Sequence, residues 1–293
     1  MFDLSVSIVT YNSELSLLLK TIDSVNSVSF LKIKLIVIDN FSRYSYISNL
    51  QKRIDNYLRN FKNLTFLFIK NNHNLGFGKA HNIALKQSIE ENIKYHLILN
   101  PDVYFEDGVL EELYDFMEKH PEVGLVMPKV LYPDGDVQYL CKLLPTPFDL
   151  FGRRFLNFHP FNRYIEKRNE IYELRFTGYD KIMEVPYLSG CFMFLRVNVL
   201  KKVGLFDERF FMYLEDTDLS RRIYRVAKTI YYPYVHIYHG YEKGSYKNLR
   251  LLKIHIESAI KYFNKWGWFN DPERDRINKE TLEKLGYKGR LEK

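Results

Sequence analysis

An α/β fold with a mostly parallel central sheet flanked by helices is predicted by three features of this sequence. Four short apolar runs, at 6–9, 35–38, 66–69 and 97–99, alternate with longer stretches of helical pattern. That is the signature of parallel strands crossed by helices. Polar residues close every run: Thr10-Tyr11-Asn12, then Asp39, then Asn71-Asn72, then Asn100-Pro101-Asp102. Ligands of open α/β sheets bind beyond the carboxyl ends of the strands, so this edge is equipped to hold something polar.

The helical stretches fall at 14–28, 43–60, 76–91 and 108–119, and a further strand at 124–127 is expected to stop at Pro128. From 132 to 183 the character changes. Pro133, Pro145, Pro147 and Pro160 lie with Arg153, Arg154, Arg163, Lys167, Arg168 and Arg175 among many Phe and Tyr residues. This reads as an irregular excursion rather than a linker, because its aromatics want burial. Regular structure resumes with a strand at 191–196, a helix from Asp216 to about 227, and a strand at 229–232. A helix at 249–264 carries Leu252, Ile256, Ala259 and Phe263 on one face and Lys253, Glu257 and Lys261 on another. The last twenty or so residues are highly charged and expected at the periphery.

At 293 residues and 46% hydrophobic content the chain can build a substantial core, which excludes a disordered protein. A net charge of +7 suits phosphorylated substrates or an anionic surface. No recognisable nucleic-acid module is present, so no nucleic-acid partner is expected. Cys141 and Cys191 lack metal-ligand spacing and read as free thiols of a reducing compartment. Met1-Phe2-Asp3-Leu4 lacks the basic start of a signal peptide, and no apolar stretch reaches the roughly 20 residues of a membrane span. The expectation is a cytoplasmic protein, attached at most peripherally to the inner face of the plasma membrane.

Two acidic motifs carry chemistry. Asp102, in the Pro-constrained Asn100-Pro101-Asp102, can coordinate a hard divalent cation, although Asp is equally at home in a turn or helix cap. Glu215-Asp216-Thr217-Asp218 places three acids in four residues. At a helix start the dipole favours ionised Asp216, which suits a general base as well as an N-terminal cap. Asn74-Leu75-Gly76-Phe77-Gly78 opens a helix with glycines that let backbone approach a phosphate or sugar. His236 and His239 follow the strand at 229–232.

Taken in order, Ser7-Ile8-Val9-Thr10-Tyr11-Asn12, Ile38-Asp39-Asn40-Phe41-Ser42, the 74–82 segment and Leu99-Asn100-Pro101-Asp102 resemble the inverting family 2 glycosyltransferases. Tyr187-Leu188-Ser189-Gly190-Cys191, Gly204-Leu205-Phe206-Asp207-Glu208 and Leu214-Glu215-Asp216-Thr217-Asp218-Leu219 continue the set. The match covers residues 5–240 and is nearest to the rhamnosyltransferase-like branch.

The resemblance implies a GT-A catalytic domain over 1–245, with a nucleotide-sugar-binding half at 1–130, an acceptor-side half at 131–245, and a C-terminal helical extension at 246–293. It implies a dTDP- or UDP-linked sugar donor and a Mg²⁺ or Mn²⁺ ion. Thr10, Tyr11 and Asp39 would contact base and ribose, with Asn74 and Gly76 lining the same pocket. Asp102 matches the last acid of the D-x-D motif, and Asn100 stands where many members have Asp. Asp216 matches the catalytic base and Glu215 shapes the acceptor site. His239, followed by Gly240 and with Ser245 beyond, matches a C-terminal metal ligand, and His236 is its rival. The implied acceptor is a glycan or lipid-linked saccharide of bacterial polysaccharide or cell-wall assembly. The opposing reading is a degenerate transferase that binds nucleotide or glycan without catalysis. A nucleotidyltransferase would want a basic, glycine-rich loop where residues 7–13 have neither Gly nor Lys.

Overall fold

The computed structural model describes residues 2–58, 64–152, 162–240 and 248–289. The four apolar runs are strands β1 (Leu4–Thr10), β2 (Ile33–Asp39), β3 (Leu64–Lys70) and β4 (Tyr95–Leu99). Helices α1 (Leu15–Asn26), α2 (Tyr44–Leu58) and α3 (Phe77–Glu90) connect them. Short β5 (Val103–Tyr104), α4 (Val109–Lys119) and β6 (Val123–Leu131) follow. Beyond these lie β7 (Cys141–Lys142), α5 (Asn162–Tyr172), β8 (Met183–Glu184), β9 (Tyr187–Leu188) and β10 (Phe192–Arg196). The chain continues with α6 (Val197–Val203), α7 (Glu215–Tyr224), β11 (Lys228–His239), α8 (Leu249–Trp266) and α9 (Pro272–Lys284).

Among the described residues the main sheet has nine strands, in the order β3-β2-β1-β4-β10-β6-β11-β5, with β8 beside β11. The pairs β1–β2, β2–β3, β1–β4 and β6–β11 are parallel, and β10 runs antiparallel between β4 and β6. Thr10, Asp39 and Lys70 share one row of the ladder, so three strands end flush. Strand order reverses at β1, with β2 and β3 laid on one side and β4 on the other, which makes this edge a topological switch point.

Burial explains the continuous apolar runs. Leu35 and Val37 join Leu4, Val6 and Ile8 in one core cluster, while Ile36 and Ile38 face Ala80 and Ala84 of α3 on the other side. A strand covered on both faces has no polar alternation.

Four expectations are corrected. β6 does not stop at Pro128 but passes through it to Leu131, and β11 reaches His239 instead of ending at Tyr232. Pro128 offers no N–H, and the partner strand shifts register there: Tyr232 pairs with Pro128 and His236 with Lys129. The bulge on β11 absorbs the missing donor. The 132–183 stretch is not irregular throughout. It holds α5, β7, β8 and a short hairpin whose Leu131 bridges Val137, and Arg168 pairs with buried Asp149 at 2.8 Å. Arg153, Arg154 and Pro160 lie outside the described residues. Finally, much of the last twenty residues is not peripheral: Arg274, Ile277, Thr281 and Leu282 of α9 are buried.

One polar chain sits in the core. Ser7 Oγ lies 2.7 Å from His81 Nδ1 and 2.8 Å from His96 Nε2, and His96 Nδ1 lies 2.8 Å from Ser88 Oγ. All four residues are buried. Burial holds His81 well below the usual histidine range and His96 at about 3. The unfolded chain therefore takes up protons below about pH 6.5 that the fold refuses. The histidines' contribution to stability is complete above that pH and falls as pH drops toward 3, by up to about 1.4 kcal/mol per pH unit for each. Urea midpoints at about pH 7 and about pH 5 should differ, and His96→Asn should remove its share of the slope. An unchanged slope in that variant contradicts the assignment.

Candidate active site

The flush strand ends build the first part of the site. Asp39 is fully buried; Oδ2 accepts from Ser42 N at 3.1 Å, while Oδ1 has no hydrogen-bond partner. A buried carboxylate oxygen left open beside a sheet edge can accept a hydrogen bond from a ligand or a water. Thr10 is buried with its Oγ1 2.6 Å from Tyr46 Oη, and Tyr11 is half exposed at the edge. Asn74 and Gly76 meet through Asn40. Its Nδ2 donates to Asn74 Oδ1 and Gly76 O, both at 2.9 Å, and its Oδ1 accepts from Leu75 N at 3.0 Å and Asn71 Nδ2 at 3.1 Å. Gly76 (φ 80°) is obligatory: an added Cβ would stand 2.0 Å from Phe211 O, the same oxygen that accepts from Phe77 N.

The second part follows β4. Asn100 N donates to Cys191 O at 2.9 Å, and Gly240 N donates to Asp102 O at 3.0 Å. These bonds draw the end of β11 to the end of β4. His239 Nε2 then lies 3.5 Å from Asp102 Oδ1 and 3.3 Å from Asn100 Nδ2. His236, three residues earlier on a strand, is exposed against Tyr238 and away from this cluster. Ser245 lies outside the described residues.

The third part is the start of α7. Tyr213 (φ 71°) and Leu214 (φ 65°) both take left-handed backbone before Glu215, a conformation that bulky residues reach only when their surroundings impose it. Asp216 is half-buried. Its Oδ2 accepts from Gly190 N at 2.9 Å and Tyr187 Oη at 3.3 Å, and its Oδ1 from Thr217 N at 2.7 Å. Glu215 is buried and its Oε2 has no hydrogen-bond partner. Burial, and then the charge of Asp216, pushes the Glu215 carboxyl well above the usual range. Burial raises Asp216 as well, but the Gly190 and Thr217 amides oppose it. Of the two acids, Asp216 is therefore the easier to ionise.

Cys191 stands between the second and third parts. Burial, reinforced by the charges of both Asp102 and Asp216, pushes its thiol up to about 12. The structure thus brings Asn100, Asp102, His239, Asp216 and Glu215 around one strand start. Among the described residues no three His, Cys, Asp or Glu side chains form a metal-holding group. Asp102 supplies a carboxylate oxygen, Asn100 an amide and His239 an imidazole nitrogen, and His239 Nε2 and Asp102 Oδ1, 3.5 Å apart, can share a divalent cation when the ring is neutral. That donor set fits a divalent ion that takes its remaining ligands from substrate.

Sequence reasoning missed the residues that hold the site. Asn40 and Tyr187 stand inside the motifs but had no role assigned. Tyr46 and Gln138 had no signal at all, being single polar residues far from any motif. Arg221 was also missed. It is fully buried on α7, bidentate to Asp271 at 2.6 and 2.7 Å, bonded to Glu273 at 2.7 Å, and lies 4.1 Å over the Trp266 ring. Asp218, also buried, accepts from Trp266 Nε1 at 2.9 Å and Lys265 Nζ at 2.6 Å. The charges of α7 are therefore answered by α8 and α9.

The sequence model of glycosyl transferase family 2 matches residues 5–204. The N-acetylglucosaminyl-diphospho-decaprenol L-rhamnosyltransferase of Mycobacterium tuberculosis is 29% identical over 218 residues, 69% of this chain and 68% of the relative. The crystal structure of S. aureus TarS 1-349 aligns with a TM-score of 0.56 at 19% identity, covering 96% of this chain and 70% of that one. GalNAc-T7 with UDP, GalNAc and Mn²⁺ aligns with a TM-score of 0.62 at 14% identity, covering 97% and 55% respectively. At such identities these two show the shared fold, GT-A.

Asp271→Asn keeps the helix cap but leaves Arg221 buried without its bidentate partner. Chemical denaturation should register a loss of about 3 kcal/mol or more. Arg225→Ala, at an exposed pair with Glu273, should change stability by less than about 1 kcal/mol. Equal effects of the two variants would contradict the brace.

Proposed function

The chain belongs to glycosyl transferase family 2, and from that premise we propose that it moves a sugar from a nucleotide diphosphate to an acceptor hydroxyl in one inverting displacement. The observation that carries this reading is the bond from Asn100 N to Cys191 O, which sets Asp102 and Asp216 around one strand start. Asp216, ionised and aimed by Gly190 N and Tyr187 Oη, takes the proton from the attacking hydroxyl. Glu215, still protonated, shapes the acceptor side and donates a hydrogen bond there. No nucleophilic side chain is required, so the anomeric configuration inverts. Both acids being in place speaks against a degenerate binder.

On the donor side, the open Oδ1 of buried Asp39 accepts an N–H from the base, Tyr11 lies against it, and Thr10 orients the pocket through Tyr46. Asn74 and Gly76 close the pocket as backbone shaped by Asn40. Asp102, His239 and the Asn100 amide would hold Mg²⁺ or Mn²⁺. A bound ion there offers Lewis-acid stabilisation of the negative charge on the departing diphosphate.

Rhamnose from a dTDP or UDP donor is the favoured sugar, and a lipid-linked saccharide of the bacterial cell wall or polysaccharide is the favoured acceptor. The support is the mycobacterial relative, an N-acetylglucosaminyl-diphospho-decaprenol L-rhamnosyltransferase. Among the described residues no helix is long and apolar enough to cross a membrane. A lipid-linked acceptor would then be met by peripheral contact at the cytoplasmic face.

Transfer assays with a panel of dTDP- and UDP-sugars test the reading. Asp216→Asn should lower kcat by about 10²–10⁴-fold, whereas Glu215→Gln, an isostere of the neutral acid, should stay within about tenfold. Proton NMR of the product should show the anomeric configuration opposite to that of the donor. Retention would overturn the single displacement.

A further inference from the structure

Gln138 is buried just beyond the hairpin that follows β6. Its Nε2 donates to two backbone carbonyls, His239 O at 2.8 Å and Leu131 O at 3.3 Å. A carbonyl oxygen cannot face two others, so the amide has one orientation. Its Oε1 is thereby turned to His239 Nδ1, 3.0 Å away. An amide oxygen only accepts, so Nδ1 carries a ring proton, which in the neutral ring leaves the lone pair on Nε2. That nitrogen is the one facing Asn100 Nδ2 at 3.3 Å and Asp102 Oδ1 at 3.5 Å. The Asn100 N–H is a donor matched to a lone pair, which agrees with the same tautomer.

We propose that Gln138 is a positioning residue that fixes the Nδ1–H tautomer of His239 and so presents Nε2 as a ligand to a divalent cation shared with Asp102. The inference rests on reading this cluster as the metal site. Gln138 grips both the backbone carbonyl and the ring of one residue, so it sets the place of the imidazole as well as its proton. It also ties the hairpin after β6 to the end of β11, so this part of the 132–183 stretch supports the donor side of the site.

The test is Mn²⁺ affinity, read by the electron paramagnetic resonance of free Mn²⁺ with the full chain and UDP present. Gln138→Met should weaken Mn²⁺ binding about 10- to 100-fold, the range for lost partners of a metal-bound histidine. In a His239→Ala background, Gln138→Met should have no further effect. Unchanged affinity in Gln138→Met, or an equal loss in both backgrounds, overturns the proposal. A wild type that binds no Mn²⁺ overturns the metal reading itself. The tautomer is then tested alone by ¹⁵N NMR of His239, where an Nε2–H form in the wild type would refute Gln138's role.

Discussion

The antiparallel insertion of β10 between β4 and β6 is the constraint on which the rest of this molecule depends. In a purely parallel sheet, polar residues gather at the carboxyl ends of successive strands. Here the register that sets Phe192 opposite Leu99 brings the start of β10, not its end, to that edge. The turn at 189–191 is thus laid beside Asn100, and the Gly190 amide is free to hold Asp216. Two acids more than a hundred residues apart become neighbours of one buried thiol, Cys191. Neither half of the site has a reason to meet the other without this strand.

Holding two acids together at the start of α7 has an electrostatic cost, and the structure offsets it locally. The helix N-terminus and the Gly190 and Thr217 amides favour one charge, on Asp216. Burial denies a second charge to Glu215. Further along the same helix, buried Arg221 meets Asp271 and Glu273 at the start of α9, and buried Asp218 meets Lys265 and Trp266 of α8 together with Arg222 of its own helix. The left-handed backbone at Tyr213 and Leu214 lies just ahead of these restraints, where a helix start can be held away from its relaxed path. Ser258 Oγ, donating to Met212 O at 2.8 Å, closes the same loop from α8.

The strands and acids were legible because their signal is local. A two-sided apolar run ending in Asp39 or Asn100-Pro101-Asp102 states its own environment. What was illegible depends on partners distant in sequence. Pro128 looks like a strand stop until β11 is seen to bulge opposite it. The charges of 271–284 look solvated until Arg221 is found among them. Gln138 carries no pattern and the motif around Asn40 does not show its role, since a lone amide gains meaning only from what its two ends touch. The choice of His239 over His236 came from the family resemblance, and strand alternation accounts for their opposite surroundings.

The central claim is that Asp102 and Asp216 serve one site in different capacities. Calorimetric titration of UDP, with and without Mn²⁺, into wild type, Asp102→Ala and Asp216→Asn tests it most directly. The account predicts Mn²⁺-dependent UDP binding that disappears in Asp102→Ala and persists, within a few-fold, in Asp216→Asn. Mn²⁺-dependent binding that survives in Asp102→Ala, or its loss in Asp216→Asn, would contradict that division of roles.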